Sequence, residues 1–184
     1  MKIASKLLIS ITAFSLSACL ATAPIHPEAQ RHNRCGVTFV QDGDLERAET
    51  SFRLSLEYNP CHADALHNLA LVYLLRGDLE RADKHEREAL ECRPDLVQAV
   101  NGLGAITRGR GDLVRAEELF SEAVRMDPGY LDARRNLITT ALDIGDRALA
   151  RRQLDRLALL SPKDPFLESV RQRFDEKEIS GRKK

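Results

Sequence analysis

The chain has 184 residues, and its 28 Lys and Arg balance 28 Asp and Glu, for a formal net charge of zero. That balance excludes a strongly basic nucleic-acid binder and a strongly acidic solvating tail as global readings. Hydrophobic residues at 43%, charged residues at 30% and aromatics at 5%, with no Trp, describe a folded, helix-prone chain rather than a disordered one or a β-sandwich.

The chain opens with Lys2 and Lys6, then an apolar run of ten residues at 7–16 (LLISITAFSL). A membrane-spanning helix needs about 20 apolar residues, so this run is too short to remain as a mature span. Small Ser17 and Ala18 follow, then Cys19, which is the order of a secretory signal peptide. Leu16-Ser17-Ala18-Cys19 also resembles a bacterial lipobox. The resemblance implies cleavage after residue 18, a diacylglycerol on the Cys19 thiol and an acylated new amino terminus. The alternative is an ordinary secretory signal cut near Ala21 or Ala23. The lipobox resemblance further implies outer-membrane sorting, because Leu20 rather than Asp follows the cysteine, and a periplasm-facing, lipid-anchored protein. Several acyl chains hold firmly, since each buried methylene contributes about 0.8 kcal/mol. Loss of residues 1–18 leaves 26 bases against 28 acids. Residues 19–28 are small and Pro-containing and read as a tether.

From residue 29 the chain repeats every 34 residues. Pro60, Pro94, Pro128 and Pro162 share one column, Gly43, Gly77, Gly111 and Gly145 a second, and Ala48, Ala82, Ala116 and Ala150 a third. Asp follows each of those glycines. Gly-Asp closes one helix and caps the next, and the Pro column ends the second helix of each pair. The spacing predicts four helix-turn-helix units at 29–62, 63–96, 97–130 and 131–164. Residues 165–174 (PFLESVRQRF) are predicted as a helix capping the open end of the stack, followed by a charged tail to 184. The columns resemble the tetratricopeptide repeat (TPR), which implies an all-α superhelix. Departures occur: Glu86 stands where the family carries Phe or Leu, and the fourth copy is the weakest.

The four cysteines sort by position. Cys19 is the expected lipid site. Cys35 occupies the column of Leu69, Leu103 and Leu137 and is expected to be a buried small hydrophobe. Cys61 precedes the first helix of the second unit and Cys92 ends its second helix, so antiparallel packing brings them together and a disulfide is expected. Two free thiols, or a bridge to Cys35, are the alternatives. Closing a loop of that size stabilises by roughly 3–4 kcal/mol in the chain-entropy model.

No catalytic constellation, phosphate loop or paired metal-ligand spacing stands out. The histidines are scattered, and Cys61-His62 with His67 is a weak metal pattern beside the default of surface residues. No cofactor is expected apart from the lipid. The TPR resemblance implies a concave groove lined by first helices. Its register positions are Asn33, Val37 and Val40 in the first unit and His67, Leu71 and Leu74 in the second. Asn101, Ala105 and Arg108 follow in the third, and Arg135, Thr139 and Leu142 in the fourth. Val37, Val40, Leu71, Leu74 and Leu75 make an apolar stretch, and Arg108, Arg134 and Arg135 add positive charge, although some of these residues could instead be core. A groove of this kind suits an amphipathic or partly acidic protein segment, with no nucleic acid. By resemblance to TPR lipoproteins of type IV pilus biogenesis, the expected role is a non-enzymatic adaptor assisting an outer-membrane secretin. The alternative is a TPR scaffold for cell-envelope enzymes, outer-membrane assembly or motility machinery.

Overall fold

The structure, a computed structural model, describes residues 26–170 and residue 173. The signal segment, Cys19, most of the tether and the charged tail lie outside the described residues. Eight helices run in order: α1 Pro27–Gln41, α2 Leu45–Tyr58, α3 Ala63–Leu75, α4 Leu79–Cys92, α5 Val97–Gly109, α6 Leu113–Met126, α7 Leu131–Ile144 and α8 Arg147–Leu160. A further helical segment, α9, covers 165–170. Among the described residues no strand occurs. The second, third and fourth units begin their first helices at residues 63, 97 and 131 as the repeat spacing predicts. The first begins two residues early, at Pro27, because proline suits the first helical position and the His26 ring accepts from the Glu28 amide. Residues 27 and 28 are therefore helix rather than tether.

Each turn inside a unit follows from the Gly-Asp pair. Gly43, Gly77, Gly111 and Gly145 all have positive φ, between 77° and 99°, where a side chain would be strained. Asp44, Asp78 and Asp112 each accept from an amide three residues on, at 3.0 to 3.1 Å, and Asp146 does so at 2.8 Å. Each supplies a partner for an otherwise orphaned helical N–H.

The Ala column is fully buried at all four positions, which lets paired helices approach. Two further columns trade volume across the same interface. Gly36 lies against Phe52 and Gly104 against Phe120, while in the fourth unit Ile138 and Leu154 share a core cluster. A large residue on one helix is answered by a small one on the other, which keeps packing dense. Each unit packs on the next through its second helix, and successive first helices also touch one another. The first helices therefore line the inner, concave side of the stack.

The ends differ. Leu167 and Val170 of α9 are buried in the cluster that holds Ile138, Ala141, Leu142 and Leu157, so α9 covers the last unit. Among the described residues no helix pair covers α1 from the other side. Cys35 is consequently a free thiol of intermediate exposure, not the buried hydrophobe expected from its column: Leu69, Leu103 and Leu137 are buried because a preceding unit lies over them.

Candidate partner-binding groove

The concave face is an array of half-exposed side chains. Asn33, Val40, His67, Leu71, Leu74, Asn101, Ala105, Arg108, Arg135 and Thr139 are intermediate in exposure, and Val37 is exposed. Leu142 is not part of it. That side chain is 8% exposed and packs in the core cluster beneath α9, because the capping helix takes the place a fifth unit would occupy. Amide pairs link neighbouring units along the face. Asn68 donates to Asn33 and Asn136 to Asn101, both at 2.9 Å.

The positive end expected of the groove is neutralised. Arg135 pairs with Asp164 at 2.7 Å and with Asp132, and its guanidinium holds the Asp164 carboxyl below the usual range. Arg108 lies 3.6 Å from Asp143, which also meets Arg173. Arg134 is 5% exposed and turns away to Gln153 and the Pro128 carbonyl. What remains open on the face is apolar and amide surface, with Leu75 57% exposed at its edge.

One place interrupts the amide pairing. Between the second and third units the matching positions hold His67 and Gly102 instead of two asparagines. Beneath them lies Glu86, in the column of Phe52, Phe120 and Leu154, and 2% exposed. Both of its carboxylate oxygens sit 3.0 Å from His67 Nδ1. Gly102 leaves the room the carboxylate occupies: a Cβ would stand 1.9 Å from Glu86 Oε1, so that side chain would have to shift. Burial pushes the Glu86 carboxyl above its ordinary range, opposed by His67. Tyr130, itself raised by burial, is held against Asn101 close by.

Cys61 and Cys92 are joined by a disulfide with Cα atoms 5.4 Å apart. It ties the start of α3 to the end of α4. Beside it His62 is buried, 3% exposed, against the expectation of a surface histidine. Its Nδ1 lies 2.8 Å from Ser55 Oγ, which donates to the Ala29 carbonyl at 2.7 Å. The pair has the residue types of a nucleophile and base, but the serine is fully buried and its proton is committed to a carbonyl. It is a structural link joining α1, α2 and the following turn. Among the described residues no cluster of three or more metal-binding side chains occurs. An open cleft of about 840 Å³ lies away from the groove, beside the first turns of α2. Three of its charges pair with one another, Glu49 with Arg53 and with Arg76.

Family models described as tetratricopeptide repeat match residues 51–84 and 108–173. No curated protein matches the sequence. Solved structures do match the fold. A thermophilic TPR protein of Thermus thermophilus has a TM-score of 0.70 at 22% identity, covering 79% of this chain and 82% of that one. Pseudomonas aeruginosa pilF has a TM-score of 0.71 at 22% identity, over 81% and 70% of the two chains. The first TPR of Spaghetti (RPAP3), bound to the HSP90 peptide SRMEEVD, has a TM-score of 0.60 at 15% identity, over 64% and 95%.

Proposed function

We propose that this TPR chain is a non-enzymatic adaptor that holds a segment of another protein along the concave face of its first helices. The observation that carries the reading is the continuous apolar and amide surface from Asn33 to Thr139, open on a stacked scaffold whose last unit is covered by α9. Preorganised surface of this kind favours binding because little order has to be imposed on association. The structurally similar RPAP3 TPR domain, bound to an HSP90 peptide, supports the mode.

The proposal places the adaptor at the outer membrane through lipid on Cys19, where it would assist secretin assembly for type IV pili. The lipobox resemblance and the likeness to pilF support this placement. Deleting the gene tests it directly: secretin multimers should fall on a gel and pili should be lost. Unchanged multimers with intact pili would reject the pilus role, and altered cell shape would point to envelope scaffolding instead. Replacing Cys19→Ser should move the protein from the membrane to the soluble fraction.

A further inference from the structure

We propose that the outer face of α8 is a second docking surface, one that lies on an anionic phospholipid bilayer. It is separate from the groove, and it does not need a lipid on Cys19.

The outer helices follow one rule until the fourth unit. On α2, α4 and α6 every Arg and Lys has an acid 2.6 to 3.9 Å away, from Arg47 with Asp44 to Arg125 with Glu122. On α8 the pairing gives way. Arg151 meets Asp155 at 3.5 Å, but Arg152 and Arg156 are exposed and, among the described residues, meet no acid. The repeat columns show the exchange. Arg156 stands where the second and third units hold Glu88 and Glu122, and Leu159 where the first three hold Glu57, Glu91 and Arg125. Leu159 is 75% exposed and Leu160 51%, so apolar surface appears where the other units are charged.

The changes fall together in space. Arg152, Arg156 and Leu159 recur at helical spacing and share one face, with Leu160 a turn beyond Arg156 and exposed Lys163 in the turn that follows. The opposite face holds buried Ala150, Leu154 and Leu157. Arg134 is buried and bonds only neutral oxygens, those of Gln153 and Pro128. Burial, and then the Arg156 charge, hold its guanidinium below the usual range. Positive charge is thus in excess at this unit. Apolar side chains set among unpaired cations complement a surface that carries anions over hydrocarbon, which is the chemistry of an anionic bilayer. Shape favours the bilayer over a peptide. An outer helix is a ridge, which meets a flat surface but offers no groove to hold a chain.

Co-sedimentation with vesicles tests this, using residues 19–184 with Cys19→Ser, which lack both the signal segment and the lipid. One set of vesicles holds phosphatidylglycerol and phosphatidylcholine in equal parts, the other phosphatidylcholine alone. The protein should bind the first set about ten-fold more tightly or better, and added salt should weaken that binding. R152Q/R156Q should lose about ten-fold or more in affinity for it, and L159S/L160S several-fold. Urea midpoints close to that of the unaltered protein will show that both variants fold. No binding to the anionic vesicles, equal binding to both sets, or unchanged binding by the variants would overturn the docking surface and leave the groove reading intact. Self-association that R152Q/R156Q abolishes, with no vesicle binding, would overturn it as well and give the face to a second copy.

Discussion

At Gly102 the space a methyl group needs is already filled by the Glu86 carboxylate. Helix propensity alone favours alanine over glycine by about 1 kcal/mol, but overpacking a fixed neighbour costs about 1–3 kcal/mol. Gly102→Ala should therefore lower stability, and the same change in a Glu86→Leu background should raise it. Urea unfolding of the four proteins in this cycle checks the sign; equal effects in both backgrounds would mean that the two side chains do not meet. Glu86 and His62 also shape the pH dependence, in opposite senses. Burial raises the Glu86 pKa above its ordinary 4.5. Its stabilising contribution is full below that value and is lost as pH rises through the folded pKa. Burial lowers the His62 pKa below its ordinary 6.5, with Asp64 opposing. That contribution is full above 6.5 and is lost as pH falls through the folded pKa. Glu86→Gln should flatten the decline on the alkaline side of 4.5, and His62→Asn the decline on the acid side of 6.5. Urea midpoints across that range read both, and unchanged slopes would contradict the burial of these groups. Glu86 is visible in the sequence as a misfit in its column, but its ties to His67 and Gly102 are not. They depend on side-chain packing between units, which the 34-residue period does not encode.

Helices and turns were the most legible level, because each rests on a local rule. Glycine at positive φ, an aspartate cap and a proline stop recur at fixed spacing, and the structure places all eight helix starts accordingly, with α1 two residues early. Asp112→Ala removes a cap bond of 3.1 Å to the Arg115 amide and should cost about 1 kcal/mol, measurable as a shift in the urea midpoint. The Cys61 and Cys92 pairing was readable for the same reason: antiparallel helices in one unit put its first and last residues side by side. Replacing both with serine should cost about 3–4 kcal/mol. In a Cys19→Ser protein without reductant, a thiol reagent should label Cys35 alone; labelling of Cys61 and Cys92 would show that the clip is not formed. End effects were less legible. A repeating column says what stands at Cys35 and Leu142, but not whether another element covers it. The first lacks a covering unit among the described residues and the second has α9 above it. Ion pairs such as Arg135 with Asp164, 29 residues apart, also required the fold.

At the scale of the whole molecule the chain is a linear stack whose units stabilise their neighbours. Truncation after residue 164 would uncover Ile138, Leu142 and Leu157, so hydrogen exchange should quicken first in α7 and α8 while α3 and α4 keep their protection. Stacking also makes the concave face continuous, and on that continuity the adaptor reading depends. A photo-crosslinking residue placed at Leu71, at Ala105 and at Val114 in living cells tests it most directly. The first two positions lie on the groove, and Val114, 65% exposed, lies on the second helix of its unit. The account predicts one and the same envelope protein in adducts from Leu71 and Ala105, identified by mass spectrometry, and none from Val114. Adducts from Val114 with none from either groove position would contradict it.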